Sequence, residues 1–563
     1  MRILLAALVA LSMLMQQPAG DRPAGNTRGT RSVVMARNGA IATSQPLATA
    51  AGLKVLQDGG NAIDAAVTAA AVLSVVEPTM NGPGGDLFAI VYSAKDHKVH
   101  GLNASGRAPA AATLDEFKKR NLQHVPLRGE LSVSVPGVVD GWNELLTKHG
   151  TRTLAQALEP AIRYARDGYA VSEIIAGQWK EVENLLSRDA KTAAVFLPGG
   201  KAPAPGDVFK NPALASSLEQ IAKGGRDVFY KGAIAKAIAD DMQRRNGLLT
   251  AEDLADHHAD WVEPLSTTYR GYQVLELPPN TQGVTALEML NILEGFDLKA
   301  LGHNTAAYLH VMVEAKKIAF ADRGAWIGDP STTPPKAIER MLSKEYAAER
   351  RKEINPDKAS EYKALTLTGT AAPPADPEPA GRGDTIYMTA ADSQGNVISL
   401  IQSLYETFGS GIVAGDTGIV LHDRANLFSL TPGHPNQIAP GKRPFHTLVP
   451  AMVMKDGAPW LSFGVMGGDM QAQGHAQVLA NLIDFGMNIQ EAGEAPRFRH
   501  SGNGLALESA FTADARNGLT ARGHHVTGGT GAWGGFQGIL IDPKTRVLMA
   551  GSDPRKDGMA AGW

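Results

Sequence analysis

The residues with the most chemical potential stand where a proline-rich run meets a β-type stretch, at Gly383-Asp384-Thr385. If the chain is cut between Asp384 and Thr385, Thr385 gains a free α-amine whose reference pKa is about 7.7–8.0. One residue then carries both a hydroxyl nucleophile and its general base, with no need for a separate His-Asp pair. The alternative is an ordinary β-strand threonine. A second candidate is Gly464-Val465-Met466-Gly467-Gly468-Asp469, between a strand-like and a helix-like segment. Its paired glycines either donate two amides to a developing oxyanion or form a tight strand-to-helix turn.

Other catalytic patterns are missing. The sequence has no GxSxG, HExxH, acidic calcium loop or GxxxxGK[ST]. His257-His258 and His524-His525 are adjacent rather than four apart, so they are expected at the surface. No metal and no cofactor is expected.

The elements that must position these groups are legible as patterns. Residues 50–57 and 62–76 are Ala-rich at helical spacing, separated by Gly59-Gly60-Asn61. A loop rich in Gly and Pro, Thr79 to Asp86, leads into a strand over 87–92. Helices are expected over 143–149, 154–166, 213–222, 234–242, 283–293 and 306–320, and a strand over 275–277. Residues 365–383 carry Pro and small residues and predict a mobile linker. After it, 385–391 and 397–403 read as two strands joined by a turn at Gly395. Further β-type runs fall at 412–421, 451–454, 461–464, 505–509, 525–526, 536–541 and 546–549, with a helix over 472–484. So many strands predict a sheet-centred core flanked by helices, completed by parts of the first half.

Composition narrows the function classes. The chain has 563 residues, 54 Lys+Arg, 57 Asp+Glu and a net charge of −3, with 44% hydrophobic residues and no Cys. Near-neutral charge without a basic block argues against nucleic acid as a partner. The lack of Cys excludes disulfides, Cys nucleophiles and Cys-ligated metals. Residues 1–20, with Arg2 and an apolar run over 3–15, read as a signal peptide, which implies a periplasmic or secreted protein with no stable membrane insertion once it is removed.

Several long blocks then carry a family resemblance. They are GNAIDAAVTAAAVLSVVEPTMNGPGGDLF (Gly60 to Phe88), SVPGVVDGW (Ser134 to Trp142), PPNTQG (Pro278 to Gly283), GDTIYMTAADSQGNVISLIQSLYETFGSGIV (Gly383 to Val413), KRPFHTLVPAM and FGVMGGDMQ. The sequence resembles the γ-glutamyltranspeptidase family of N-terminal nucleophile hydrolases, including its cephalosporin-acylase-like branch. The resemblance implies an α+β fold, a four-layer αββα sandwich built jointly by two chains from one precursor. The large chain, 33–384, would end in the flexible tail 365–384, and the small chain, 385–563, would begin with the nucleophile. Carried over by motif, Thr385 is the nucleophile and Ser403 the hydroxyl that assists it. Gly467 and Gly468 form the oxyanion hole.

Substrate contacts depart from the transpeptidase pattern. Those enzymes hold a substrate α-carboxylate with an arginine in RExxP and two serines after Lys-Arg-Pro. Here Arg107 stands two positions before Pro109, and His446-Thr447 replaces the serines. The acidic pair that holds the α-amine corresponds to Asn426-Leu427, while Arg424 lies nearby. Expected substrate contacts are therefore Arg107, Arg424, Asn426, His446 and Thr447. The resemblance implies a self-processing hydrolase or acyltransferase acting on γ-glutamyl compounds such as glutathione, with an amino acid or peptide as possible acceptor. The missing acid and the two arginines point to an alternative, an acylase for glutaryl, cephalosporin-type or other dicarboxylyl amides. A further alternative is an unprocessed binding protein without catalysis.

Overall fold

The computed structural model describes residues 30–367, 372–374, 383–528 and 533–563. The expected signal peptide, 1–20, lies outside the described residues, as does much of the expected tail. Two seven-stranded sheets form the centre. The first runs 559–562, 39–43, 384–392, 397–405, 86–93, 98–104, 260–262 in spatial order, and every neighbouring pair is antiparallel. The second runs 34–36, 548–552, 536–541, 458–465, 451–455, 272–276, 265–269, also antiparallel throughout.

Side-chain alternation on these strands fills three apolar layers. Ile386, Met388 and Ala390 face helices Pro46–Gln57 and Ala62–Val76, whereas Tyr387 and Ala391 join Phe88, Leu275, Met452 and Ile539 between the sheets. Helices Gly283–Leu293, Ala306–Trp326 and Met470–Ile483 cover the outer face of the second sheet. The architecture is a four-layer αββα sandwich.

The hairpin carrying Thr385 is fixed from several directions. Strands Asp384–Asp392 and Val397–Tyr405 meet at a turn where Gly395 has φ +95°, a conformation other residues rarely adopt. The Asp392 carboxylate accepts the N–H groups of Gln394 (2.9 Å) and Asn396 (3.0 Å) and that of Ala62 (2.9 Å), the first residue of the alanine-rich helix. That helix opens with an Asn61/Asp64 capping box, and its small side chains let every residue of it be buried.

Three expectations change. Residues 412–421 form no strand but a loop with isolated bridges, Val413 to Val420 and Leu421 to Gly84, because Gly415 and Gly418 turn the chain at φ +55° and +69°. The linker is not loose from its start: Leu365 is buried, and its carbonyl accepts Trp326 Nε1–H at 2.9 Å. Each adjacent His pair splits, with His257 and His524 buried and His258 and His525 exposed. Among the described residues no helix is long and apolar enough to cross a membrane.

Candidate active site

Thr385 lies at an irregularity of its strand, where the register shifts between Asp384 and Ile386. Its Oγ1 donates to Ser403 Oγ at 3.4 Å and accepts from Gln471 Nε2 at 3.5 Å. Gln471 is oriented for this, because its Oε1 accepts the Val449 N–H at 2.9 Å. Ser403 Oγ also accepts the Tyr405 N–H at 2.7 Å, and Ser403 pairs with Asp86 on the next strand. Thr385, Ser403 and Asp86 thus follow one another across three adjacent strands. Tyr405 has φ +80°, a strained conformation for a bulky residue, and it pairs with Asp384.

Gly467 and Gly468 connect strand Ala458–Val465 to helix Met470–Ile483 with φ +111° and +58°. Their carbonyls accept the N–H groups of Met470 and Gln471, and among the described residues their own N–H groups make no hydrogen bond. Gly383 packs directly on this turn: a Cβ there would lie 2.9 Å from Gly468 Cα. Gln282, from PPNTQG, braces the turn by donating to the carbonyls of Thr447 (2.8 Å) and Gly468 (3.2 Å). Arg323 Nη1 reaches Gln282 Oε1 and Asp469 Oδ1, both at 2.7 Å.

On the strand next to Ser403 lies a fully buried charged group. Asp86 accepts the Gly106 N–H at 2.8 Å and His446 Nε2–H at 3.0 Å. His446 Nδ1 accepts the Leu448 N–H at 3.3 Å, so the ring is the neutral Nε2–H tautomer. Burial and the adjacent Arg424 push His446 down to about 3. Asp86 is held well below the usual carboxylate range: His422, His446 and Arg424 overcome the cost of burial. The Arg424 guanidinium stacks on Tyr405 at 4.6 Å and donates from Nη1 to Thr447 Oγ1 at 3.1 Å. Its Nε and Nη2 have no hydrogen-bond partner among the described residues, although it is fully buried.

Of the expected substrate contacts, Arg424, His446 and Thr447 therefore come together next to Tyr405. Two do not. Arg107 donates to Asp260 Oδ2 and to the His258 carbonyl, both at 2.9 Å, and lines a cleft of about 280 Å³ with Asp253, Asp256 and His257. Asn426 Nδ2 donates to the Val125 carbonyl at 2.7 Å. Sequence reasoning passed over Asp86, His422, Tyr405 and Gln471. Asp86 closes the Gly-rich loop and Tyr405 ends the Thr385 hairpin, and those positions were the available signal.

One group of metal-type ligands, His310, Glu314 and His524, lies together with donor atoms within 4.8 Å. His310 Nδ1 and His524 Nε2 already share a hydrogen bond at 2.8 Å, and Lys317 Nζ stands 3.0 Å from Glu314 Oε1. The ammonium already balances the carboxylate, so the group requires no ion.

A threonine hydroxyl at the head of a central strand of an αββα sandwich, preceded by a glycine packed on a paired-glycine turn, matches the N-terminal nucleophile hydrolase arrangement. Residues 48–563 match the model of the family described as gamma-glutamyltranspeptidase, and the chain belongs to that family. It is 40% identical over 528 residues to the glutathione hydrolase-like YwrD proenzyme of Bacillus subtilis, covering 92% of this chain and 97% of that one. It is 37% identical to the acylase ACY 1 proenzyme of Pseudomonas sp. strain SE83, covering 90% of each. The crystal structure of a cephalosporin acylase from Bacillus halodurans superposes with a TM-score of 0.89 at 42% identity, over 96% of this chain and 99% of that one. The chain is a self-processing hydrolase/acyltransferase of the branch that holds glutathione hydrolases and acylases.

Proposed function

We propose that this protein is an acylase for amides whose acyl group ends in a carboxylate, such as glutaryl or related dicarboxylyl amides, after cutting itself between Asp384 and Thr385. In the precursor, the Thr385 hydroxyl adds to the Asp384 carbonyl carbon and its proton passes to the departing amide nitrogen. The resulting ester is hydrolysed by water, leaving an Asp384 carboxylate and a free Thr385 amine. In the mature enzyme that amine takes the hydroxyl proton, Thr385 Oγ1 attacks the substrate amide, and the Gly467 and Gly468 amides receive the oxyanion. The proton leaves with the amine product, and water then releases the acid from the acyl-threonine ester.

The observation that carries the acyl specificity is Arg424, a buried guanidinium whose Nε and Nη2 make no hydrogen bond among the described residues, with Asp86 Oδ2 3.8 Å from Nε, stacked on the tyrosine that pairs with Asp384. A carboxylate on the acyl group would satisfy both donors in the fork geometry that arginine favours. No acid stands at Asn426 to attract an α-ammonium. A second reading, γ-glutamyl hydrolysis or transfer, draws on Asp423, a buried carboxyl next to Arg424 whose Oδ2 has no hydrogen-bond partner among the described residues.

Intact mass and N-terminal sequencing of wild type beside Thr385→Ala test the processing. Wild type should give a small chain starting at Thr385, and the variant should stay whole near 59.4 kDa, less any removed leader. Two whole chains would favour the non-catalytic binding protein. Comparing kcat/KM for glutaryl and γ-glutamyl p-nitroanilides then tests specificity, and a strong γ-glutamyl preference would reverse it.

A further inference from the structure

We propose that Glu406 positions the bond to be cut, acting in maturation and not in turnover; this rests on the cleavage between Asp384 and Thr385 proposed above. Gly383, just before the residue pair to be separated, donates its N–H to Glu406 Oε1 at 2.6 Å, a short charge-assisted bond. Its φ of +53° and the contact with Gly468 leave no room for a side chain. The segment leading into the bond is therefore clasped on two sides, by a carboxylate on one and by the glycine turn on the other.

Glu406 is itself held in place. It is 8% exposed, its N–H donates to Asp423 Oδ1 at 3.1 Å, and Arg128 Nη2 stands 3.6 Å from its Oε2. Arg128 is anchored in turn on the carbonyls of Thr407, at 2.8 Å, and Gly409. This places a fixed acceptor one residue beyond Tyr405, whose own backbone is strained and whose N–H is bonded to Ser403 Oγ. Glu406 forms and breaks no covalent bond. By fixing Gly383 it limits rotation of the peptide that must present the Asp384 carbonyl carbon to Thr385 Oγ1. Once the chain is cut, Gly383 belongs to a free end, and the clasp has no further part in catalysis.

The test is a pulse-chase of newly translated full-length chain, following the whole and cut forms with time for wild type, Glu406→Gln, Glu406→Ala and Glu406→Asp. Glu406→Gln keeps an oxygen acceptor and should cut within about threefold of wild type, whereas Glu406→Ala should slow by about tenfold or more, since small misplacements cost large factors. Glu406→Asp keeps the charge beside Arg128 but withdraws the acceptor by one methylene, and it should also slow; it carries the test if the alanine variant does not fold. Fully cut Glu406→Ala or Glu406→Asp should hydrolyse substrate within about threefold of wild-type kcat/KM, separating maturation from turnover. Equal cutting rates for wild type and both shortened variants would overturn the inference while leaving the cleavage itself intact. An equal loss in turnover would overturn it by placing Glu406 among the substrate contacts. A wild type that stays whole would instead defeat the underlying cleavage reading, and this inference with it.

Discussion

Ser403 Oγ lies 3.4 Å from Thr385 Oγ1 while accepting the Tyr405 N–H at 2.7 Å, so one hydroxyl contacts the proposed nucleophile and satisfies a strained backbone. Ser403→Ala should lower kcat by about 10–100-fold, because it releases the nucleophile and leaves a buried N–H unpaired, a cost of about 1–3 kcal/mol. Ser403→Thr, which retains the hydroxyl, should recover most of the rate. Steady-state kinetics of the matured variants check both.

The glycine turn gives a sharper loss. Gly467→Ala would place a Cβ at φ +111°, 3.1 Å from Gly534 Cα and 3.2 Å from Met470 Cβ, tilting an amide proposed to receive the oxyanion. Loss of one such donor is worth about 10²–10³ in kcat. Single-turnover acylation should fall by that factor while KM moves much less.

Arg424→Lys keeps a positive charge but loses the planar fork. The ratio of kcat/KM for a glutaryl amide to that for a butyryl amide should drop by about tenfold or more, as expected for losing a charge-assisted hydrogen bond. An unchanged ratio would remove Arg424 from the acyl pocket.

Asp423 sets a pH dependence of stability. Burial pushes its carboxyl from an ordinary 3.8 up to about 7, against the pull of Arg128. Between these values the folded chain holds a proton that the unfolded chain has released, so this group's contribution to stability is full below about pH 4 and is lost as pH rises through 7. Asp423→Asn should therefore raise the Tm above pH 7, with an effect on the order of 2–4 kcal/mol, and the gain should vanish near pH 4. Thermal melts at pH 4, 6 and 8 decide it.

What was legible in the sequence was local. The Thr385 hairpin, the glycine pair and the alanine-rich helix each depend on contiguous residues whose turn and burial chemistry can be read in a short window. The group around Asp86 could not be read that way, because Asp86 and His446 are 360 positions apart and meet only when the sheets assemble. Arg107 misled for a related reason. Gly106 donates inward to Asp86, while the side chain of the next residue turns out to Asp260, an alternation that spacing from Pro109 does not convey. The run 412–421 has β-type composition, yet two glycines at positive φ decide its path.

Both central sheets draw strands from either side of Thr385: 384–392 lies beside 39–43, and 451–455 beside 272–276. Before the proposed cut at Thr385, the peptide link keeps these partners at high effective concentration while they find one another. Afterwards that tether is gone, and an opened molecule must reassemble from two separate pieces at a rate that depends on dilution. The working lifetime of the mature protein is thus a matter of how slowly it opens rather than how readily it closes.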